Sequence, residues 1–211
     1  MTWISQSKTL SSALLGVVGV AISVTACGPT QADPASSSID DALVGLPDAK
    51  SLAGIDKLEQ QGDSRSDQPR PDASAPGACR SVFGQQVAFG TNFTEFRNET
   101  YSGQANGEPG KLAPMVVISQ SVGTYADDAA ARKNLADLVP ALNECAALAD
   151  PVFNIQITKQ DPSALELKSP AKYAVTYRVK SGKLVSVSVI GLTDADQTAN
   201  KIIDKIVSRI A

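Results

Sequence analysis

Histidine is absent from all 211 residues of the chain. This absence excludes Ser-His and Cys-His nucleophile pairs, zinc sites built on histidine, and imidazole proton shuttles. A hydrolase would have to rely on a Ser-Lys pair or on carboxylates, and the close acidic pairs are Asp127 with Asp128 and Glu95 with Glu99. Such pairs on a surface are usually only solvated. We therefore predict that the protein is not an enzyme and uses no metal or cofactor, with a His-free hydrolase as the alternative.

Basic residues are outnumbered and form no run. The chain has 19 Lys and Arg against 22 Asp and Glu, a net charge of −3. Nucleic-acid binding needs a positive patch that displaces phosphate counterions, so we predict no nucleic-acid partner. Electrostatic attraction to an anionic leaflet is not expected either.

The apolar run near the N-terminus, residues 14–22, is too short for a transmembrane helix. A hydrocarbon core of ~30 Å requires about 20 apolar residues in a helix. Lys8 before the run and small residues after it are typical of a secretory signal peptide. We predict a signal peptide over residues 1–26, cleaved between Ala26 and Cys27.

The segment Val24-Thr25-Ala26-Cys27, placed where that signal ends, resembles the lipobox of bacterial lipoproteins. There the Cys thiol receives a diacylglyceryl group and its amine is acylated. Two or more acyl chains hold a protein at a membrane, whereas one chain binds only marginally. We expect an extracytoplasmic protein anchored by Cys27 to the outer face of the cell membrane. The alternative is an ordinary signal peptide that leaves a stray cysteine behind.

Cysteine is scarce, with three in the chain. If Cys27 is lipidated, Cys79 and Cys145 are left as an even pair in an extracytoplasmic protein, which predicts a disulfide. Closing a loop of this length would constrain the unfolded chain by ~4 kcal/mol in the entropic description. Two buried free thiols are the alternative, and a catalytic cysteine is disfavoured because no histidine is present.

Composition divides the rest of the chain into segments. Residues 27–38 comprise the lipidated cysteine and a small, polar, flexible tether. Residues 39–61 form an N-terminal helical segment, with the better helix at about 48–60 because leucine and isoleucine recur three apart. Residues 62–78 are rich in Gly, Pro, Ser and Asp and predict a flexible loop. The main domain spans residues 79–211.

Periodicity within the main domain predicts alternating groups of strands and helices. A short helix or turn at 80–86 is followed by two strands, a helix that Pro140 should kink or split, a strand group and a final amphipathic helix. The strands are expected at 88–101, 113–124, 153–158, 173–179 and 184–190, with a fragment at 165–167, and the helices at 127–149 and from 193 onward. This order predicts an α+β domain with an antiparallel sheet of about five strands packed with helices and one disulfide.

Several of these features also recur together in one known family. Cys79 opens the core, the strand at 118–125 leads into the Asp127 helix, Cys145 lies towards that helix's end, and a serine-valine strand precedes the closing helix. In this order the chain resembles, over about 43–211, the PknH-like extracellular sensor domain. That family is found in actinobacterial envelope lipoproteins and as the ectodomain of a membrane serine/threonine kinase.

The chain departs from that family in two respects. Members often carry a second disulfide and tryptophans, and here Trp3 leaves with the signal peptide. There is no kinase Gly-rich loop or His-Arg-Asp motif. The resemblance implies a stand-alone, sensor-like lipoprotein whose domain binds a small molecule, glycan, lipid or envelope protein through residues that the sequence does not define. A structural or assembly lipoprotein is the alternative.

Four tyrosines are candidates for a glycan-binding face. On strands, however, tyrosine is more often half-buried packing than a ligand-binding surface. The four are Tyr101, Tyr125, Tyr173 and Tyr177.

Overall fold

The computed structural model describes residues 39–71, 74–106, 110 and 112–211. The predicted signal peptide, the cleavage site at Ala26 and Cys27, and the tether up to residue 38 lie outside these residues. In chain order the helices and strands are α1 (Ile39–Ala42), α2 (Leu46–Ala53), β1 (Glu59–Ser66), a 3₁₀ turn (Gly77–Cys79), α3 (Arg80–Phe83), α4 (Gln85–Phe89), β2 (Glu95–Gln104), β3 (Met115–Thr124), α5 (Asp128–Ala147), β4 (Gln156–Asp161), β5 (Ala164–Ser169), β6 (Tyr173–Lys180), β7 (Lys183–Ile190) and α6 (Ala195–Arg209).

The strands form one antiparallel sheet in the order β1-β2-β3-β7-β6-β5-β4. The chain builds one half through β1, β2 and β3, crosses by α5 to β4 at the far edge, and returns through β5 and β6 to place β7 beside β3. The predicted α+β class, with helices packed on an antiparallel sheet, is confirmed. The described residues contain seven strands where about five were predicted.

Helices cover the two faces of the sheet, and each face has its own core. Because side chains alternate along a strand, neighbouring residues contribute to opposite cores. The face under α1, α2 and α6, here the α6 face, carries Tyr101, Val116, Ile118, Val122, Ala174, Val185, Val187 and Val189. The face under α3, α4 and α5, here the disulfide face, carries Phe96, Leu165, Leu167, Tyr173, Val175, Tyr177 and Leu184.

The predicted disulfide between Cys79 and Cys145 is present. Both cysteines are fully buried, and their bond joins the 3₁₀ turn to the last part of α5. The alternative of two free thiols is therefore wrong. Because α3 and α4 follow directly after Cys79, this link also fixes where those two short helices begin.

The α5 helix begins where the sequence predicted and is not split. Asp127 precedes its first turn and accepts a hydrogen bond from the amide of Ala130 at 2.8 Å. The helix continues through Pro140 to Ala147, so of the predicted kink or split the split is wrong. Leu138 and Leu142, on either side of the proline, are both buried in the same core, and this packing holds the two halves together.

The N-terminal segment differs from its prediction. The helix expected at 48–60 ends at Ala53, because Gly54 takes a left-handed conformation (φ 67°) and its amide bonds to the carbonyl of Lys50. Residues 59–66 form β1, paired with β2, where the end of a helix and part of a loop over 62–78 were expected. The β1 sequence contains no apolar residue, so it has none of the alternation that signals a strand.

The predicted strand bounds at the far edge of the sheet also differ from the structure. The strand expected at 153–158 is β4, which begins at Gln156 and is largely exposed. The fragment at 165–167 is part of a full strand, β5.

No helix in the described part of the chain has the length and apolar character that crossing a bilayer demands.

Candidate functional site

Asp127 and Asp128, the first acidic pair, each have a separate structural partner. Asp127 caps α5, as described above. Asp128 lies 2.9 Å from Arg132 and accepts a hydrogen bond from the amide of Gly182 in the β6–β7 turn. The two carboxylates therefore hold the start of a helix and a turn, and they do not converge on a shared site.

Glu95 and Glu99 lie on the same face of β2, four residues apart. Four residues of antiparallel strand span about 13 Å, which exceeds the separations used by paired glycosidase carboxylates, about 5–9.5 Å. Arg97 lies between them, 3.8 Å from Glu95, and Arg65 lies 3.6 Å from the buried Glu99. The structure thus does not assemble this pair as a general acid and base.

The four tyrosines are buried, at 1–5% exposure, so they pack the cores and do not form an exposed face. Burial raises the pKa of every one of these phenols. Tyr177 differs from the rest because it also borders a polar cleft on the disulfide face.

That cleft lies where the disulfide face of the central strands changes from apolar to polar. Strand register aligns two rows of side chains across β2, β3, β7 and β6. The first row runs from Asn98 on β2 to Tyr177 on β6, and the second row runs from Thr100 on β2 to Val175 on β6. The polar members, which we call the serine cleft, are Asn98, Ser121 and Ser186 in the first row and Thr100, Ser119 and Ser188 in the second.

Hydrogen bonds orient the side chains of the serine cleft. The Nδ2 of Asn98 donates to the hydroxyl oxygens of Ser119 at 2.9 Å and Ser121 at 3.0 Å. The hydroxyl of Thr100 donates to that of Ser119 at 3.1 Å. Burial raises the pKa of Tyr177, and its hydrogen bond with Ser186 offsets part of that rise. Tyr177 therefore presents a neutral phenol beside the hydroxyls.

The α3 and α4 helices form the second wall of the cleft. Phe83 and Phe89 line it, and the Nε2 of Gln85 donates to the Ser121 hydroxyl at 3.3 Å. The enclosed space is about 30 Å³, which is the volume of about one water molecule. Along β3 the residues on this face become more exposed towards the start of the strand, from the buried Ser121 to Met115 at 59% exposure. The cleft is therefore more open towards that end of β3.

The lining of the serine cleft limits its chemistry. It consists of hydroxyl, amide, phenol and apolar groups, so it can donate and accept hydrogen bonds to a neutral polar molecule. No basic side chain lines it among the described residues, so its serines lack the partner that a nucleophile requires. Across the same described ranges, no three Asp, Glu, Cys or His side chains cluster as around a metal ion.

The serine cleft was not recognised from the sequence, although a signal for it exists. Ser119 and Ser121 in β3 and Ser186 and Ser188 in β7 repeat the same Ser-x-Ser spacing. The alternation predicts a polar face for each strand. It does not show that the two strands are neighbours or that helices overhang that face.

Comparison with known proteins gives one family and one fold. No curated protein matches this chain. The crystal structure of the extracellular domain of PknH from Mycobacterium tuberculosis is similar, with a TM-score of 0.55 and 19% sequence identity over 81% of this chain and 95% of that chain. At this identity the likeness shows a shared fold. The family model of the PknH-like extracellular domain matches residues 34–209, most of the sequence, and the chain therefore belongs to that family.

Proposed function

We propose that this protein is a membrane-anchored, sensor-like binding protein that holds a small, neutral, polar ligand in the serine cleft and catalyses no reaction. Membership of an extracellular domain family implies an extracytoplasmic location. The observation that carries the proposal is the row of hydroxyl and amide groups on an inner face of the sheet.

The polarity of this surface argues for recognition. Elsewhere on the disulfide face the strands bury Phe, Leu and Tyr side chains against the helices. A buried polar group needs a hydrogen-bond partner, and inside the cleft Asn98, Ser119 and Ser121 already supply one another. Within the cleft, Ser119 and Ser188 are half-buried at the open end, where a ligand could contact them without moving α3 or α4. Because the enclosed space holds about one water molecule, a single polar group of a sugar, polyol or amide would enter it and the rest of the ligand would lie at the open end.

The anchor is the second part of the proposal. Cys27 follows a signal-like segment in the sequence, and lipidation there would attach the domain to the outer face of the membrane. Intact mass of the protein extracted from its native membrane tests this directly. A chain beginning at Cys27 with added acyl mass supports the anchor, whereas an unacylated chain beginning elsewhere contradicts it.

Binding is tested with a library of neutral sugars, polyols and small amides, scored by melting temperature and by amide chemical shifts. We expect at least one compound to stabilise the protein and to shift the amides of Ser119 and Ser188. Ser119→Ala and Ser188→Ala should each weaken that binding by roughly 2–10-fold, the contribution of one neutral hydrogen bond. Ser51→Ala, at an exposed position on α2, is the matched control.

The binding proposal fails if no compound in that library perturbs the cleft, or if both cleft variants bind the active compound as tightly as the control does. A role in contacting envelope proteins is the second candidate. It is favoured by Leu148 and Val152, which are 56% and 64% exposed in the α5–β4 connection. Crosslinking from Val152 to an envelope protein, with no shift at the cleft, would favour that role.

A further inference from the structure

A second, larger cavity lies on the disulfide side, between α5 and the turn that joins β4 to β5. Its volume is about 730 Å³, within the ~300–1,000 Å³ typical of ligand pockets. Leu135 and Leu165 are buried in its floor. We call it the α5 groove; α5 contributes Ala129, Arg132, Lys133, Leu135, Ala136, Val139 and Pro140, and the β4–β5 side contributes Gln160, Asp161, Pro162 and Leu165.

The length and the side chains of the α5 groove suit a hydrocarbon chain. From Lys133 to Pro140 the helix advances by about 10 Å. One lipid tail covers half of a ~30 Å hydrocarbon core, or about 15 Å, so about two thirds of a tail would lie along the groove beyond the two cations. Ala129 and Ala136 are exposed and small, so they leave room between the helix and the turn, and Val139 and Pro140 extend the apolar wall.

The α5 groove is lined by two cationic side chains and one carboxylate, a balance that favours an anionic head group. Asp161 is occupied by its own turn: its carboxylate accepts hydrogen bonds from the amide and hydroxyl of Ser163 at 2.9 and 3.0 Å and lies 3.7 Å from Lys159. The backbone hydrogen bond from Ser163 is the main reason that the pKa of Asp161 is lowered, so it stays ionised within that turn.

Arg132 and Lys133 are the two cationic side chains of the groove. Each is paired along the helix, with Asp128 and Asp137 respectively, and neither acid lines the groove. Exposed pairs of this kind contribute only about 0.3–0.5 kcal/mol, so either cation can exchange its partner for a ligand anion. An amphiphile with an apolar chain and a negative head is complementary to this arrangement.

We propose that the α5 groove binds one single-chain anionic lipid, such as a fatty acid, with its hydrocarbon chain along α5 and its head group at Arg132 and Lys133. This site is separate from the serine cleft and does not depend on the ligand proposed there.

The test uses the purified full chain and a palmitate analogue that carries a diazirine near the end of its chain. After irradiation, the labelled peptides are identified by mass spectrometry. We expect saturable labelling within residues 129–140 and 160–165, competed by palmitate and much less by hexadecanol, which has the same chain without the charge.

Two variants address the chain and the head group separately. Ala136→Trp fills the groove and should abolish labelling there. Ala147→Trp, three turns further along the same helix at another exposed position outside the groove, should leave the labelling unchanged. The double variant Arg132→Ala/Lys133→Ala should raise the palmitate Kd at least about tenfold, since charge-assisted hydrogen bonds are lost. Both mutated surfaces are exposed, and an unchanged melting temperature verifies folding.

Several outcomes would overturn the proposal. Labelling that does not saturate, or that survives Ala136→Trp, rejects the groove as the site. Labelling centred on Leu148 and Val152 would indicate insertion of that loop into micelles or membranes instead. Equal competition by palmitate and hexadecanol, or an unchanged Kd in the double variant, would remove the assigned role of the two cations and with it the anionic ligand.

Discussion

Replacing Gln120 by leucine should leave the buried backbone amide of Val44 without its hydrogen-bond acceptor. Gln120 lies on β3 at 0% exposure, and its side chain forms two hydrogen bonds with Val44, which is also fully buried. Its Oε1 accepts from the Val44 amide at 2.8 Å, and its Nε2 donates to the Val44 carbonyl at 2.6 Å. The hydroxyl of Tyr101 donates to the same carbonyl at 2.9 Å.

The structure sets the size of the effect. Leucine is close to glutamine in volume, so Gln120→Leu leaves no large cavity. It removes the one partner shown for the Val44 amide, and a buried unsatisfied donor costs about 1–3 kcal/mol. The carbonyl keeps its bond from Tyr101. We therefore expect a loss of about 2 kcal/mol, which is a fall of roughly 4–8 °C in melting temperature for a domain of this size.

Tyr101→Phe is the matched control, because it removes a hydroxyl from the same cluster without leaving a backbone group unpaired. The Val44 carbonyl would still accept from Gln120, so we expect a cost of about 1 kcal/mol or less. Urea unfolding measures both variants, and hydrogen exchange should show faster exchange of the Val44 amide in Gln120→Leu alone. Two results would refute the reasoning: a Gln120→Leu variant as stable as wild type, or a Tyr101→Phe variant less stable than Gln120→Leu.

Three further predictions concern the disulfide, a glycine and the tyrosines. Reducing the Cys79–Cys145 bond, which closes a separation of 66 residues, should lower the free energy of unfolding by ~4 kcal/mol in the entropic description; equal urea midpoints with and without reductant would contradict this. Gly191→Ala should cost more than about 1 kcal/mol, because φ is +92° and a Cβ would meet the Met115 carbonyl oxygen at 2.0 Å; Gly62→Ala, in open space, is the control for the same melting assay. Because burial raises the pKa of all four tyrosines, the stability that depends on their neutral form is complete below the unfolded pKa of about 10 and is lost as pH rises towards the folded values. Absorbance at the phenolate band should rise only together with unfolding, and phenolate formation in the folded protein would contradict this.

Elements with a strong local signal could be predicted from the sequence. Asp127 at the start of a long amphipathic stretch predicted α5, and the Ser181-Gly182 turn between two alternating segments predicted the β6–β7 hairpin. The disulfide followed from cysteine count and context. Each of these three signals depends on residues near one another in the chain or on covalent chemistry. None of them depends on the order of strands in the sheet.

Elements that depend on distant neighbours were missed. The β1 strand is polar along its whole length and exists because β2 offers it a pairing edge, so nothing in its own residues indicates a strand. The end of α2 at Gly54 was missed for a related reason: the leucine spacing continues past it, but Ile55 and Leu58 reach the same core from irregular backbone. Apolar spacing reports burial, and burial does not require a helix.

The serine cleft shows most clearly what residue alternation along a strand cannot predict. Alternating serine and valine in β7 indicates a strand with one apolar and one polar face, and a polar face is ordinarily assigned to solvent. Three non-local facts change that assignment. The β3 strand pairs with β7 and brings Ser119 beside Ser188. The Cys79–Cys145 bond fixes the start of the segment that forms α3 and α4, and this segment partly covers the same polar face. A surface that alternation alone would leave in water is thereby enclosed on one side and open on the other, and the proposed ligand binding depends on that geometry.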